Sequence, residues 1–450
     1  MAAAPTPRAD ADADADPTRL ARVIGAPLLF LFILGDVLGA GVYALVGKIA
    51  GEVGGATWAP LLLSLVLALL TAASYAELVT KYPRAGGSTV FAARAFRLPQ
   101  VSFLVGFSMV AAGVTSAAGL ALAFAGDYLS PLVDVPPLPA ALAFLAAIAL
   151  LNARGIRESL GANVVMTLIE VAGLLLVVGL ALAFVLGGQG TTERLTEFRS
   201  GVSPGSAILG AALIAFYSFV GFETSANMAE EVRDVRRVYP RALFGALLVA
   251  GAIYVAVAVA ATAVLSPAEL AASSAPLLDV VRATGYGVPP VLFGVVALIA
   301  VANGALLTMI MASRQAYGMA EEGLVPSIFG RVLPGRRTPW VAIVATTLVA
   351  MLLTLTGTLT ALAETVVLLL LFVFISTNLA VLVLRRDGVT RPHFRAPTVL
   401  PVLALASCAL LLTQQSAGAW LRAGALLAAG AVLYALSGSR RRATAALQAP

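Results

Sequence analysis

The sequence predicts an all-α polytopic membrane protein, and three observations carry that reading. Hydrophobic residues make up 60% of the chain and charged residues 12%, with a mean hydropathy of +0.96. That mixture is too apolar for a water-facing surface to cover. Apolar runs long enough to cross a bilayer recur along the whole length. Lys and Arg gather in alternate connections between those runs, the pattern that orients helices in a membrane. One Cys (Cys408) and one His (His393) leave no disulfide framework and no Cys/His metal site. The net charge of +6 does not point to nucleic acid, because the basic residues sit in short clusters where membrane orientation explains them.

Residues 1–22 form a tail expected to be disordered and cytoplasmic, since the alternating acidic stretch Asp10 to Asp16 lies between prolines and has nothing to bury. The first apolar run begins after residue 22 and is too long for the core of a cleavable signal, so it is expected to stay in place. Apolar runs follow at about 24–50, 56–80, 101–129, 137–153, 162–187, 206–229, 242–265, 290–312, 340–357, 361–384, 398–414 and 418–437, which gives twelve spans. With both termini cytoplasmic, the inside segments hold all of the 29 Lys and Arg residues except Lys48, Arg194, Arg199, Arg282 and Arg422. A missed or extra span would spoil that bias. The last residues, 438–450, form a second cytoplasmic tail.

Two spans carry breaks. In the first, Gly35-Asp-Val-Leu-Gly-Ala-Gly-Val-Tyr43 places Gly39 and Gly41 at mid-membrane depth, where residues without a Cβ weaken the helix and free backbone N–H and C=O groups. Hydrocarbon cannot satisfy such groups, so they are expected to line a cavity or meet a polar substrate. The plainer alternative is close helix packing at small residues. In the sixth span, Phe216-Tyr-Ser-Phe-Val-Gly-Phe-Glu-Thr-Ser-Ala-Asn227 sets Gly221 two residues before an ionisable Glu223. Spans one and six thus begin two five-helix halves, about 24–187 and 206–384, as inverted-repeat transporters do. Spans eleven and twelve, within 385–437, fall outside the repeat.

Enzymatic readings are weak. Gly41 to Lys48 looks like a phosphate loop, but it has one residue too many between the glycines and Ile49 where Ser or Thr is required. Neither a nucleophile elbow nor a zinc-protease motif occurs, and one His leaves little general-base machinery. No enzyme and no cofactor are expected. A channel is the remaining alternative, and paired interrupted helices favour alternating access over a continuous pore.

Four stretches together resemble the amino acid–polyamine–organocation superfamily. They are Gly35 to Tyr43, Ala76-Glu-Leu-Val-Thr-Lys-Tyr-Pro-Arg-Ala-Gly-Gly-Ser88, Phe219 to Glu231, and Ser313-Arg-Gln-Ala-Tyr-Gly-Met-Ala-Glu-Glu-Gly-Leu-Val-Pro326. One departure is Arg233-Asp-Val-Arg-Arg-Val-Tyr-Pro240, where that family usually has Asn-Pro and then Ile-Pro. The resemblance implies a LeuT-type 5+5 inverted repeat, residues 23–384, with two additional C-terminal helices, in the plasma (inner) membrane. It implies a small-molecule substrate, an amino acid or related amine, between spans one, three, six, eight and ten. The substrate carboxylate would meet the free N–H groups of Ala40, Gly41 and Val42 at the positive end of a half-helix, and its ammonium would meet carbonyls near Leu38 and around Phe219.

Further roles follow from the same resemblance. Phe216 and Phe219 are candidates for an aromatic lid, or simply for packing. Thr115, Ser116, Asn303, Thr308 and Asn378 either shape a side-chain pocket or hydrogen-bond helix to helix. Glu223 is a structural partner for the broken sixth helix or part of a relay. In span five, Glu170 stands where many relatives carry Lys, whose ammonium takes the place of a cation in sodium-coupled LeuT-type proteins. With Asp36 facing the same place, two carboxylates would form a proton-coupling site. The alternative is that Glu170 is a protonated helix-to-helix hydrogen bond and Asp36 caps the unwound turn.

Overall fold

The computed structural model describes residues 24–436 except 85, 131, 334, 335, 337, 390 and 391. The two expected tails, residues 1–22 and 438–450, lie outside the described residues. The described chain is helical, with no strand beyond two isolated β-bridges.

The first half contains α1 (Ala26–Val53), α2 (Trp58–Lys81), α3 (Gly87–Phe96), α4 (Pro99–Leu122), α5 (Pro137–Arg154) and α6 (Ile156–Leu186). After a long connection come α7 (Pro204–Tyr217), a 3-10 helix at Phe222–Glu231, α8 (Val235–Val264), α9 (Pro267–Ala272), α10 (Pro276–Ala283) and α11 (Pro290–Glu321). The chain closes with α12 (Trp340–Leu353), α13 (Leu359–Leu384), α14 (Val399–Thr413) and α15 (Ala417–Leu436). Proline occupies the first turn of α4, α5, α7 and α11, where its missing N–H costs nothing and its fixed φ suits the helix. Among the described residues, ten helical segments are long and apolar enough to span a membrane, and α12 and α14 are shorter apolar helices.

The sequence reading missed α3, α9 and α10, ended one span too soon and began another too late. Helix α11 continues through Ser313 to Glu321, and α8 begins seven residues before the expected 242. The Asp-Val-Arg-Arg-Val-Tyr-Pro departure therefore starts a helix. Asp234 takes the left-handed region at φ 43°, which Asp tolerates better than most residues, and Pro240 lies inside α8.

Burial separates the helices into two classes. Helices α2 and α4 are enclosed by neighbours, whereas α5, α6 and α15 turn most of their surface outward. In lipid that outward surface is as apolar as the interior, so close packing and polar contacts decide which faces meet. Helix α4 runs along α11 and α13, and α1 runs along α7, α8 and α11. At one end of α1, Ile24 pairs with Val232, its N–H bonded to the Glu231 carbonyl at 2.9 Å and its carbonyl accepting from Arg233 N–H at 2.9 Å. At the other end, Gly54 pairs with Phe198. The beginning of α1 thus meets the end of the sixth apolar segment and its end meets that segment's approach, so the two run antiparallel.

Candidate functional site

Two backbone breaks lie against each other. Within α1 only Gly39 leaves helical geometry, with φ −16° and ψ −162°. The expectation that Gly39 and Gly41 both interrupt the helix is therefore corrected. Gly41 is helical and serves close approach instead: a Cβ there would lie 2.6 Å from Ser218 Cα and 3.0 Å from its Cβ and Oγ. In the sixth segment α7 ends at Tyr217, and Gly221 turns the chain at φ 126° into the 3-10 helix. A Cβ on Gly221 would meet the Asp36 carbonyl oxygen at 2.8 Å, so neither break leaves room for a side chain facing the other.

The freed backbone groups are partly accounted for. A helix that restarts after Gly39 has first-turn N–H groups without intrahelical acceptors, and Ala40, Gly41 and Val42 fall there. On the carbonyl side, Tyr254 from α8 reaches between the breaks. Its hydroxyl bonds the Val37 carbonyl at 2.5 Å and the Ser218 carbonyl at 3.0 Å. Beyond Gly221, Glu223 accepts the Gly221 N–H at 2.9 Å. Thr224 donates to the Gly221 carbonyl at 2.8 Å and also bonds the Asp36 carboxylate.

A narrow cavity of about 40 Å³ lies at the breaks. That is room for water and not for an amino acid unless helices move. Gly39 and Gly41 line it, as do Asp36, Ser218, Gly221 and Glu223; Leu38 and Val42 are buried beside it without lining it. Phe216 and Phe219 do not line it either. Phe216 packs edge-on to Phe374 with ring centroids 6.1 Å apart, and Phe219 packs on Tyr254 at 5.3 Å. The aromatic residue at the cavity is the intervening Tyr217, whose hydroxyl is 3.0 Å from Ser116 Oγ. Consecutive positions at the end of α7 point in different directions, so Tyr217 faces the cavity and Phe216 faces α13. Of the pocket-shaping candidates, Ser116 and Thr308 line the cavity. Thr115 bonds its own helix at the Ala111 carbonyl, and Asn378 ties α13 to α2 through Ser74 at 2.5 Å.

Asn303 belongs to a second polar cluster. Its side chain bonds Asn163 at 3.1 Å and Thr167 at 3.3 Å, both from α6. Gly35 faces this group so closely that a Cβ would overlap Thr167. Glu170, one turn beyond Thr167, is completely buried, and the Asn303 amide approaches it without closing a bond of normal geometry to either carboxyl oxygen. Tyr43 donates to the Glu170 backbone carbonyl at 3.1 Å. The neighbours of Asp36 are Thr224, Gly221 and Glu223 instead. Adjacent α1 residues, Gly35 and Asp36, therefore face different clusters, and the acid beside Asp36 is Glu223 and not Glu170.

A third polar assembly escaped the sequence reading. Glu77, near the end of α2, holds the Arg385 guanidinium through both carboxylate oxygens at 3.0 and 2.7 Å and also accepts the Ala396 N–H at 2.9 Å. Lys81 donates to the Leu384 carbonyl at 2.5 Å, and Tyr82 to Asp387 at 2.7 Å. Burial of Tyr82 and its bond to Asp387 push its phenol above the usual range. The end of α13 is thereby bound to the end of α2.

Comparison with known proteins agrees with this architecture. The family model described as amino acid permease matches residues 24–429. An uncharacterized transporter of Mycobacterium tuberculosis is 32% identical over 72% of the chain and 71% of its own length. The branched-chain amino acid permease BcaP of Bacillus subtilis is 25% identical over 87% of the chain and 88% of its own. The low-affinity putrescine importer PlaP of Escherichia coli is 28% identical over 64% and 65%.

Proposed function

Because the chain belongs to the amino acid permease family, a family of multi-pass membrane transporters, we propose that it is a secondary active transporter of an amino acid or related amine. It works by alternating access and is driven by protons. In this reading α12 and α14 complete twelve spans, residues 23–384 form the core with inverted repeats at about 24–187 and 206–384, and residues 385–437 add two helices. Both termini face the cytoplasm of a cell whose plasma membrane holds the protein. The single observation that carries the reading is the pair of antiparallel broken segments meeting at one cavity. The first-turn N–H groups at Ala40, Gly41 and Val42 receive the substrate carboxylate there. Saturable flux of at least one member of a panel of labelled amino acids and amines into proteoliposomes is expected; no saturable flux for any member would overturn the reading.

Proton coupling is assigned to Glu170. An ionised carboxylate without a hydrogen-bond donor is costly at membrane depth, so the charged state requires a cation or movement of the cluster. One proton carried inward through 100 mV contributes about 2.3 kcal/mol. Glu170→Gln should lose accumulation driven by an imposed proton gradient and keep substrate exchange. Accumulation at the parent level would remove Glu170 from the coupling step and return Glu170 to a structural hydrogen bond.

A further inference from the structure

The cavity has an uneven charge. Asp36 and Glu223 both line it, and among the described residues no lysine, arginine or histidine does. Each acid is held by neutral donors from the protein, Thr224 for Asp36 and the Gly221 N–H for Glu223, so the protein itself supplies no positive charge there. A separate observation marks the same wall as a ligand surface. The Ser218 hydroxyl is buried, lines the cavity and makes no hydrogen bond, although buried polar groups are almost always satisfied. It stands beside Gly41, where the first-turn N–H groups of the restarted helix lie.

A neutral amino acid brings one ammonium and one carboxylate, and so adds no net charge. Placed between these residues, it would leave the acids uncompensated in a medium of low dielectric. A basic amino acid, with one ammonium beyond the one its own carboxylate balances, would compensate one of them, and a diamine both. We propose that the site is built for a net-cationic substrate, a basic amino acid or an aliphatic diamine, whose ammonium groups are held by Asp36 and Glu223 and which bonds the Ser218 hydroxyl. The methylene stem would lie against Ala112, Leu120 and Val366 on the apolar side of the cavity. This inference rests on the transport reading and narrows its substrate.

The test is competition for binding to the purified full chain in nanodiscs by lysine, norleucine and cadaverine. Norleucine has the lysine skeleton without the terminal ammonium, and cadaverine has both amines without the carboxylate. Lysine and cadaverine should each bind at least about tenfold more tightly than norleucine, the size of one charge-assisted hydrogen bond. Asp36→Asn should shrink the lysine-to-norleucine ratio by about tenfold. The parent protein alone decides the matter if that variant does not fold. Norleucine binding within about twofold of lysine, or binding of none of the three, would overturn the cation reading; the transport reading falls only if no member of the amino acid and amine panel gives saturable flux.

Discussion

Gly41→Ala tests how closely the two breaks must approach. The added Cβ would lie 2.6 Å from Ser218 Cα, about 0.8 Å short of the roughly 3.4 Å at which ordinary packing contact begins. The obstructing atom is backbone, so no side-chain rotation relieves it. Nor can α7 simply withdraw, because Tyr254 bonds both the Val37 and the Ser218 carbonyls. Overpacking of this kind costs about 1–3 kcal/mol, or about one to two powers of ten in the equilibrium it acts on. The assay pairs thermal unfolding of purified protein with initial-rate flux in proteoliposomes. Gly210→Ala is the matched control: it lies on α7 with nothing within 4 Å of its Cβ, and alanine favours a helix interior by about 1 kcal/mol. Gly41→Ala should lower the melting temperature or cut flux by at least about tenfold, while Gly210→Ala should melt at or slightly above the parent and keep its flux. Parent-like melting and flux for Gly41→Ala would refute the close-approach argument.

Three other perturbations have defined outcomes. Tyr254→Phe removes the shared donor to two buried carbonyls and should destabilise the protein by about 1–3 kcal/mol, read as a lower melting temperature with its apolar packing intact. Glu77→Gln leaves a guanidinium only 12% exposed without its carboxylate, which should cost about 3–5 kcal/mol; adding Arg385→Met should recover part of that loss, and strict additivity in the double variant would argue against direct coupling. Gly221→Ala combines a φ of 126° with a Cβ 2.8 Å from the Asp36 carbonyl oxygen, so yield of monodisperse protein should fall sharply, and a normal yield would show that the turn is not required.

What the sequence made legible was local. Glycines at mid-span announced both breaks, and alternating apolar and basic segments announced the helices, because each signal is complete within one stretch of chain. The contacts that complete the site are not local. Tyr254 lies 217 residues from Val37, and Arg385 lies 308 from Glu77; nothing near either residue names its partner. One clue was available for Tyr254. It stands at the middle of its apolar run rather than at an end, where membrane tyrosines usually meet water, and a phenol at that depth needs an acceptor. Arg385 offered no comparable clue, since a basic residue at the end of a span reads first as an orientation signal. Gly41 shows a different limit, because unwinding and close packing ask for the same residue and only a neighbour's position separates them.

The Tyr254 hydroxyl has one proton and two acceptors, one on each broken segment. The two junctions therefore behave as a single joint whose pin belongs to a third helix. A stroke that carried one half-helix and left the other behind would first have to draw that pin, exposing two carbonyls to hydrocarbon or to entering water. Motion of the whole assembly as a unit, with α8 included, avoids that penalty. The joint thus biases which displacements cost least, and a tyrosine outside the cavity lining constrains both of its walls.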